Sequence, residues 1–368
     1  MKIVLISKSY FPIQSARALR TTELAQQFAR MGHDVTVYTV AGQENYEQYT
    51  VKTGVKVRLV RTHWIPSARP KSRLKTFFIR GFAFLFGRLI EFPNIELIWR
   101  VKEILAKEKE VDLLVTIALP YPIHWGAAFA KKRFKETFPK TWVSDCGDPY
   151  MGNDVYRPFF YFKYLEKFWG DQTDYVTIPI KEASPAYYNN VQKKIRVIPQ
   201  GFDFSTIRLK ADFVGNEIPT FAYTGTIFPG YRDLMSFLEY LCAVETDFRF
   251  YVYTKTPDTI MAFKDKLKKK LIISDYIPRH DLIYQLSQMD FLINLTNQST
   301  VQSPSKLIDY GLTKRPILDV STPFKEFDAF NAFISRDYSM QHPSIDVEQY
   351  DIARIAEQFI ALTKDDQL

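Results

Sequence analysis

Asn294–Val320 reads NLTNQSTVQSPSKLIDYGLTKRPILDV. It begins at the end of an apolar strand that Phe291, Leu292 and Ile293 open. A polar loop follows, then Ser303-Pro304-Ser305 and a helix carrying Lys306, Asp309 and Tyr310. Lys314-Arg315-Pro316 leads out into a second apolar strand at Ile317-Leu318. A strand, a Ser/Pro loop and a helix start make a ready anion site. The first helical amides are unpaired there, and the helix dipole favours negative charge. Pro304 suits such a start, where a missing N–H is harmless. Asp309 falls one turn into the helix, where it can accept hydrogen bonds from the vicinal hydroxyls of a ribose. The alternative is an ordinary turn with a capping Ser and a surface Lys. The stretch reads as a holder for a nucleotide diphosphate.

The 368 residues exceed one comfortable hydrophobic core and suggest two domains. Hydrophobic residues at 46% with 24% charged describe a soluble globular chain. Lys and Arg number 49 against 41 acids, a net charge of +8 that suits anionic ligands, nucleic acid or an acidic membrane face. The two cysteines, Cys146 and Cys242, lack metal-type spacing and cannot build a disulfide framework, so a reducing compartment is expected. MKIVLISKSYF has too short an apolar run for a signal peptide and reads as a first core strand. No apolar run is long enough for a transmembrane helix.

Strand Ile3–Ile6, a loop to Ser15, helix Ala16–Met31 and strand Asp34–Thr39 form a βαβ unit, so a doubly wound parallel sheet is expected. Arg17 and Arg20 share one face of that helix, either as a source of positive charge or as solvated arginines. Arg69–Ile90 holds six basic residues, no acid and five Phe. Arg73, Lys75, Phe77, Phe78 and Arg80 in it are expected to touch anionic lipid headgroups; a core helix with basic flanks is the alternative. Nucleic acid is not expected, since no binding motif accompanies the charge. His124 follows strand Val111–Ile117, at the strand end where α/β sheets bind ligands. It reads as a catalytic or sugar-contacting group, or as a cap on helix Trp125–Phe134. Asp145 and Asp148 follow strand Thr141–Ser144 and invite a metal reading.

Helices are expected at Phe159–Thr173 and Lys181–Asn189, and residues 204–219 read as an irregular linker. A new strand at Thr220–Thr226 runs into a loop where Gly225 lets backbone approach a phosphate and Arg232 can fork onto two of its oxygens. A basic amphipathic helix is expected at Asp258–Lys270 and a closing helix at Asp351–Thr363.

Five runs in order, MGHDVTVYT, DCGDPY, KIRVIPQGFD, YTGTIFPGYR and PSKLIDYGLTKRPIL, resemble the GT-B glycosyltransferases of the family 4 retaining type. The resemblance implies two Rossmann-like domains facing each other across a cleft. Residues 1–203 would bind acceptor, 204–219 link, 220–350 bind nucleotide sugar, and helix 351–368 pack back across the seam. DCGDPY resembles the family's Asp-x-x-Asp-x-(Trp/Tyr) segment, which makes Asp148 the group facing the acceptor hydroxyl and Asp145 structural, with no metal. Gly225, Thr226 and Arg232 would meet the donor diphosphate, with Arg232 standing one place after the family's usual Lys. Tyr276, Ile277 and Arg279 would face the nucleobase. Ser303, Ser305, Lys306 and Asp309 would complete the donor site.

Two departures stand out. The family's Gly-Gly pair is replaced by Gln14-Ser15-Ala16, which leaves Gln14, Ser15, Arg17 and Arg20 as the donor or acceptor loop. The first of the family's two acids falls on Val301, so sugar contacts fall to Gln298, Thr300, Gln302 or backbone amides. The implied reaction moves a sugar from a UDP-, GDP- or dTDP-sugar to a glycan or lipid-linked glycan, with retained configuration and no cofactor. Asp148, His124 and Arg232 are the catalytic candidates, and Lys306 and the Ser305 helix start would stabilise the departing diphosphate. Surface polysaccharide assembly at the cytoplasmic membrane face is the implied setting. An inactive GT-B subunit and a nucleotide-sugar epimerase are the alternatives.

Overall fold

A computed structural model describes residues 1–13, 15–41, 45–65, 86–153, 156–228, 230, 233–275, 277–296 and 305–364. Two units form, one from Met1–Asp203 with the stretch from Gln349 onward, the other from Phe204–Glu348.

The first unit is built outward from β1 (Lys2–Ser9), whose Ile3–Ile6 core is buried on both faces. That burial is why the strand reads as an unbroken apolar run. Ser15 caps α1 (Ala16–Arg30) by accepting from the Ala18 amide, and Gly32 at φ 83° turns the chain into β2 (Asp34–Ala41). A helix not anticipated from the sequence, α2 (Glu47–Thr53), precedes edge strand β3 (Lys56–Leu59). The unit continues through α3 (Leu97–Lys107), β4 (Leu113–Ala118), α4 (Pro122–Arg133) and β5 (Thr141–Cys146). Next come α5 (Phe162–Gln172), β6 (Tyr175–Ile178) and β7 (Ile195–Val197). The seven strands pair in parallel in the order β3-β2-β1-β4-β5-β6-β7, so the winding reverses between β1 and β4. The helix expected at Lys181–Asn189 is a 3-10 stretch, Lys181–Ala186, because Pro185 inside it cannot donate to an α-helical ladder.

The second unit carries β8 (Thr220–Thr224), α6 (Met235–Ala243), β9 (Arg249–Tyr253), α7 (Ala262–Leu267) and β10 (Leu271–Ser274). It continues through α8 (Arg279–Leu286), β11 (Phe291–Leu295), α9 (Ser305–Thr313), β12 (Ile317–Val320) and α10 (Phe327–Ile334). Its five parallel strands run β10-β9-β8-β11-β12, with the reversal between β8 and β11. A phenylalanine cluster fills its core: Phe221 stacks on Phe250 at 4.8 Å and on Phe291 at 4.6 Å, and Phe237 and Phe330 close over them. The single helix expected over Asp258–Lys270 is broken into α7 between two 3-10 turns. Phe263 and Leu267 are buried, and Leu271 must already turn into a strand. Residues 204–219 contain no helix or strand and are fastened to this unit. Lys210 N donates to Ser287 Oγ at 2.8 Å, and the Asp290 carboxylate accepts from Asn216 N and Thr220 N at 3.0 and 2.8 Å.

The chain then returns to the first unit. Phe202 N donates to Tyr350 O at 2.8 Å and Ile352 N to Phe202 O at 3.0 Å. Asp351 caps α11 (Ile352–Ala361), whose Phe359 meets Phe28 of α1 edge to face at 6.4 Å.

Gly126 of α4 sits where α3 crosses. A Cβ there would lie 2.8 Å from Ile98 O and 2.9 Å from Val101 Cβ. Gly126→Val should therefore cost about 1–3 kcal/mol by overpacking. The measurement is urea unfolding, read as a lower midpoint at unchanged slope. An unmoved midpoint would contradict this close crossing.

Candidate functional site

At the winding reversal of the first unit, the loops after β1, β4 and β5 converge. Arg20 projects from the second turn of α1 and grips Asp145, the penultimate residue of β5, through Nε at 2.9 Å and Nη2 at 2.6 Å. Thr177 of β6 adds a third donor to the same carboxylate at 2.7 Å, and Arg20 also donates to the Ile198 and Pro199 carbonyls. Both side chains of the pair are almost fully buried. Burial alone would raise the Asp145 carboxyl, but the Arg20 guanidinium and the Thr177 hydroxyl outweigh it and hold it below the usual carboxylate range.

One turn earlier on α1, Arg17 donates to Asp148 Oδ2 at 2.8 Å. Gly147 makes this possible, since a Cβ there would fall 1.7 Å from the Arg17 guanidinium. Tyr121, from the loop after β4, donates to the Asp148 carbonyl at 2.8 Å. Asp148 keeps a side chain 39% exposed. The loop beyond is tied to two buried acids: Tyr150 donates to Glu91 at 2.9 Å and the Met151 amide to Glu166 at 3.0 Å. Burial lifts Glu166 to about 7.

His124 lies in the first turn of α4, fully buried. Its Nδ1 shares a hydrogen bond with Thr116 Oγ1 at 2.8 Å, Nε2 meets Cys146 Sγ at 3.4 Å, and the ring stacks on Trp169 at 5.2 Å. Desolvation pulls its pKa down to about 3, so the imidazole is neutral and packed rather than presented to solvent. Gln14 lies outside the described residues, as do Arg73, Lys75, Phe77, Phe78 and Arg80.

In the second unit, Gly225 and Thr226 follow β8, and Lys306 and Asp309 stand on α9, beside the reversal between β8 and β11. Gly225 adopts φ 134°, a backbone conformation that other residues resist, and its N donates to Tyr253 O at 3.0 Å. Thr226 accepts at its carbonyl from the Tyr223 hydroxyl at 3.3 Å. Lys306, at the start of α9, holds Nζ 4.9 Å over the Tyr223 ring. Tyr310 fastens α9 beneath this point: its hydroxyl accepts from Thr224 N at 2.9 Å and donates to Ile293 O at 3.2 Å, bridging the two central strands.

Arg279 and Asp309 are paired with each other, a link that sequence spacing did not show. Arg279 Nε and Nη2 both donate to Asp309 Oδ1, at 2.8 and 2.6 Å. Burial nonetheless raises the Asp309 carboxyl above its ordinary value against the pull of Arg279. Ile277 packs with the Leu282, Leu286 and Tyr310 cluster. Tyr276, Arg232, Gln298, Thr300, Gln302 and Ser303, together with the Ser305 side chain, lie outside the described residues. The close approach of Arg17 at Gly147 and the strand-bridging hydroxyl of Tyr310 were not read from the sequence. A glycine between two aspartates, and a tyrosine one place after Asp309, were the available signals.

No family model and no curated protein matches the sequence. Solved structures match over the full length. A glycosyltransferase from Rickettsia africae superposes with a TM-score of 0.64 at 14% identity, covering 99% of this chain and 98% of its own. The Anabaena protein HepE in complex with UDP-glucose gives 0.62 at 11% identity, with 100% of both chains covered. The lipopolysaccharide outer core galactosyltransferase WaaB gives 0.59 at 12% identity, again with both chains fully covered.

Asp145→Asn should destabilise the first unit by about 3–5 kcal/mol, because it leaves the buried Arg20 charge unpaired. Removing both charges in Arg20→Met/Asp145→Asn should recover part of that loss, read by urea unfolding. The pH sign follows from the depressed carboxyl. The pair's contribution is full above the unfolded Asp value of about 3.9 and fades as pH falls through the folded one. A single variant as stable as the wild type would contradict the role of this pair.

Proposed function

We propose that this chain, which has the GT-B fold, is a glycosyltransferase that moves a sugar from a nucleotide-diphosphate sugar to a hydroxyl of a glycan or lipid-linked glycan. The observation that carries the reading is the β8/β11 reversal, where the Lys306 ammonium at the start of α9 lies over the ring of Tyr223 and Gly225 lies against the hydroxyl of the same tyrosine. A diphosphate fits there: backbone approaches at the glycine, helix amides point outward, and an ammonium group stands beside them. HepE, of the same fold, is seen with UDP-glucose.

In this reading Asp309, held by Arg279 through Oδ1, accepts from the ribose. Lys306, Arg232 and the α9 amides stabilise the negative charge that grows on the diphosphate as the sugar–phosphate bond breaks. Those groups carry the departing charge without a metal ion, and the configuration at the sugar carbon is retained. On the acceptor side, Asp148 faces the attacking hydroxyl, and Arg17 fixes its orientation through Oδ2. The segment with Arg73, Lys75 and Arg80 is assigned to an anionic membrane surface, which suits a lipid-linked acceptor and surface polysaccharide assembly on the cytoplasmic side. Among the described residues no helix is long and apolar enough to cross a membrane. Val301 in place of a sugar-contacting acid favours a second reading, a subunit that binds nucleotide sugar without turning it over.

Calorimetry with UDP, GDP, dTDP and their sugars, with and without a chelator, tests the donor site. One nucleotide should bind at micromolar Kd irrespective of chelator, and Lys306→Ala should weaken it about tenfold, as loss of a charge-assisted contact implies. Binding of none of them would refute the donor site. Asp148→Asn should lower transfer by roughly 100-fold or more while donor affinity stays within about twofold. A fully active variant would remove Asp148 from the chemistry, and donor binding without any transfer by the wild type would select the second reading.

A further inference from the structure

Two segments distant in sequence meet on the surface of the first unit and turn apolar side chains outward. Arg88 Nη2 donates to Arg157 O at 3.3 Å, and the Tyr161 hydroxyl donates to Leu89 O. Around these bonds Leu89, Ile90, Phe159 and Phe160 stand exposed, Phe160 to 70%. Trp64 and Trp99, also exposed, extend the band: they meet edge to face at 6.5 Å, and Trp64 lies 5.6 Å from Phe92. Single exposed apolar residues are ordinary, but Leu89, Phe159 and Phe160 gathered around Tyr161, with the Trp64–Trp99 pair beside Phe92, mark a contact surface.

The charges are sorted in a matching way. Residues 86–92 and 156–167 carry four basic side chains, Arg88, Arg157, Lys163 and Lys167, and two acids, Glu91 and Glu166. Both acids are turned inward, Glu91 onto the Tyr150 and Tyr156 hydroxyls at 2.9 and 3.0 Å and Glu166 onto the Met151 amide. The outward charge of these two segments is therefore wholly positive.

We propose that this face seats the protein on an anionic bilayer, with the aromatic side chains in the headgroup layer and the cations on lipid phosphates. The inference rests on the membrane assignment made above, and it extends that assignment to residues outside the 73–80 segment. Aromatic rings with polar edges and long basic side chains are the types that partition to a bilayer interface. Each cation near an anionic surface adds to the attraction, which salt weakens. A second copy of this chain is a poorer occupant, since it would bring the same cations face to face.

Flotation of the full chain with phosphatidylcholine vesicles, with and without phosphatidylglycerol, tests this. The wild type should float only with the anionic vesicles and less at high salt. Ile90→Ser/Phe160→Ser and Arg157→Glu/Lys163→Glu should each bind at least tenfold more weakly, with circular dichroism and nucleotide binding unchanged. Variants that float like the wild type would overturn the proposal. So would release by Arg73→Glu/Lys75→Glu/Arg80→Glu alone, which would keep the membrane assignment and exclude this face. Loss of a dimer on size exclusion, in place of lost flotation, would hand the face to a second copy. A wild type that does not float at all would overturn both lipid assignments, while nucleotide calorimetry reads the transferase proposal independently.

Discussion

The first unit depends on the buried pair of Arg20 and Asp145. Taking both charges out of water is costly, and dense hydrogen bonding to both groups offsets that cost. The carboxylate accepts from two guanidinium nitrogens and the Thr177 hydroxyl, while the guanidinium also serves the Ile198 and Pro199 carbonyls and lies 5.7 Å from the Phe359 ring centre. Helix α1, strands β5 and β6, the end of β7 and helix α11 thus share one electrostatic node. Because Arg17 stands three residues before Arg20 on the same helix, the anchoring of α1 through Arg20 also holds the Arg17 backbone beside the Asp148 loop.

The second unit solves the same geometrical problem with a neutral group. Tyr310 bridges β8 and β11 through its hydroxyl, which has no charge to desolvate and which burial pushes further from ionising, to about 12. A phenol suits a point directly beneath a proposed diphosphate, where a second fixed charge would bias the electrostatics of the ligand site. The charged groups stand elsewhere: Lys306 and Arg279 in the first turns of α9 and α8, and Asp309 one turn into α9.

Much of this was legible in the sequence where the physics is local. Continuous apolar runs announced strands buried on both faces, and glycine and proline marked the turns around them. What stayed hidden was partner choice. Arg17 and Arg20 satisfied a solvated reading and a site reading equally well, because the residues that decide between them, Asp145 and Asp148, lie more than a hundred positions away. His124 follows the right strand for a site group, yet Trp169, Thr116 and Cys146 enclose it, and helical spacing carries no record of that. Arg279 and Asp309 were each legible as site residues and illegible as a pair.

The hydrogen bonds between Phe202 and residues 350–352 place the exit from the first unit beside the re-entry to it. The second unit is thus an insertion whose two chain ends are held together by its host. During synthesis, the whole of the inserted unit is made before α11 can fill the groove against Leu24, Ala25 and Phe28. Until then the part of α1 that Phe359 covers is open. The inserted unit has its own sheet and aromatic core and needs no such wait. The order of synthesis therefore favours completing the inserted unit first and sealing the core of its host afterwards.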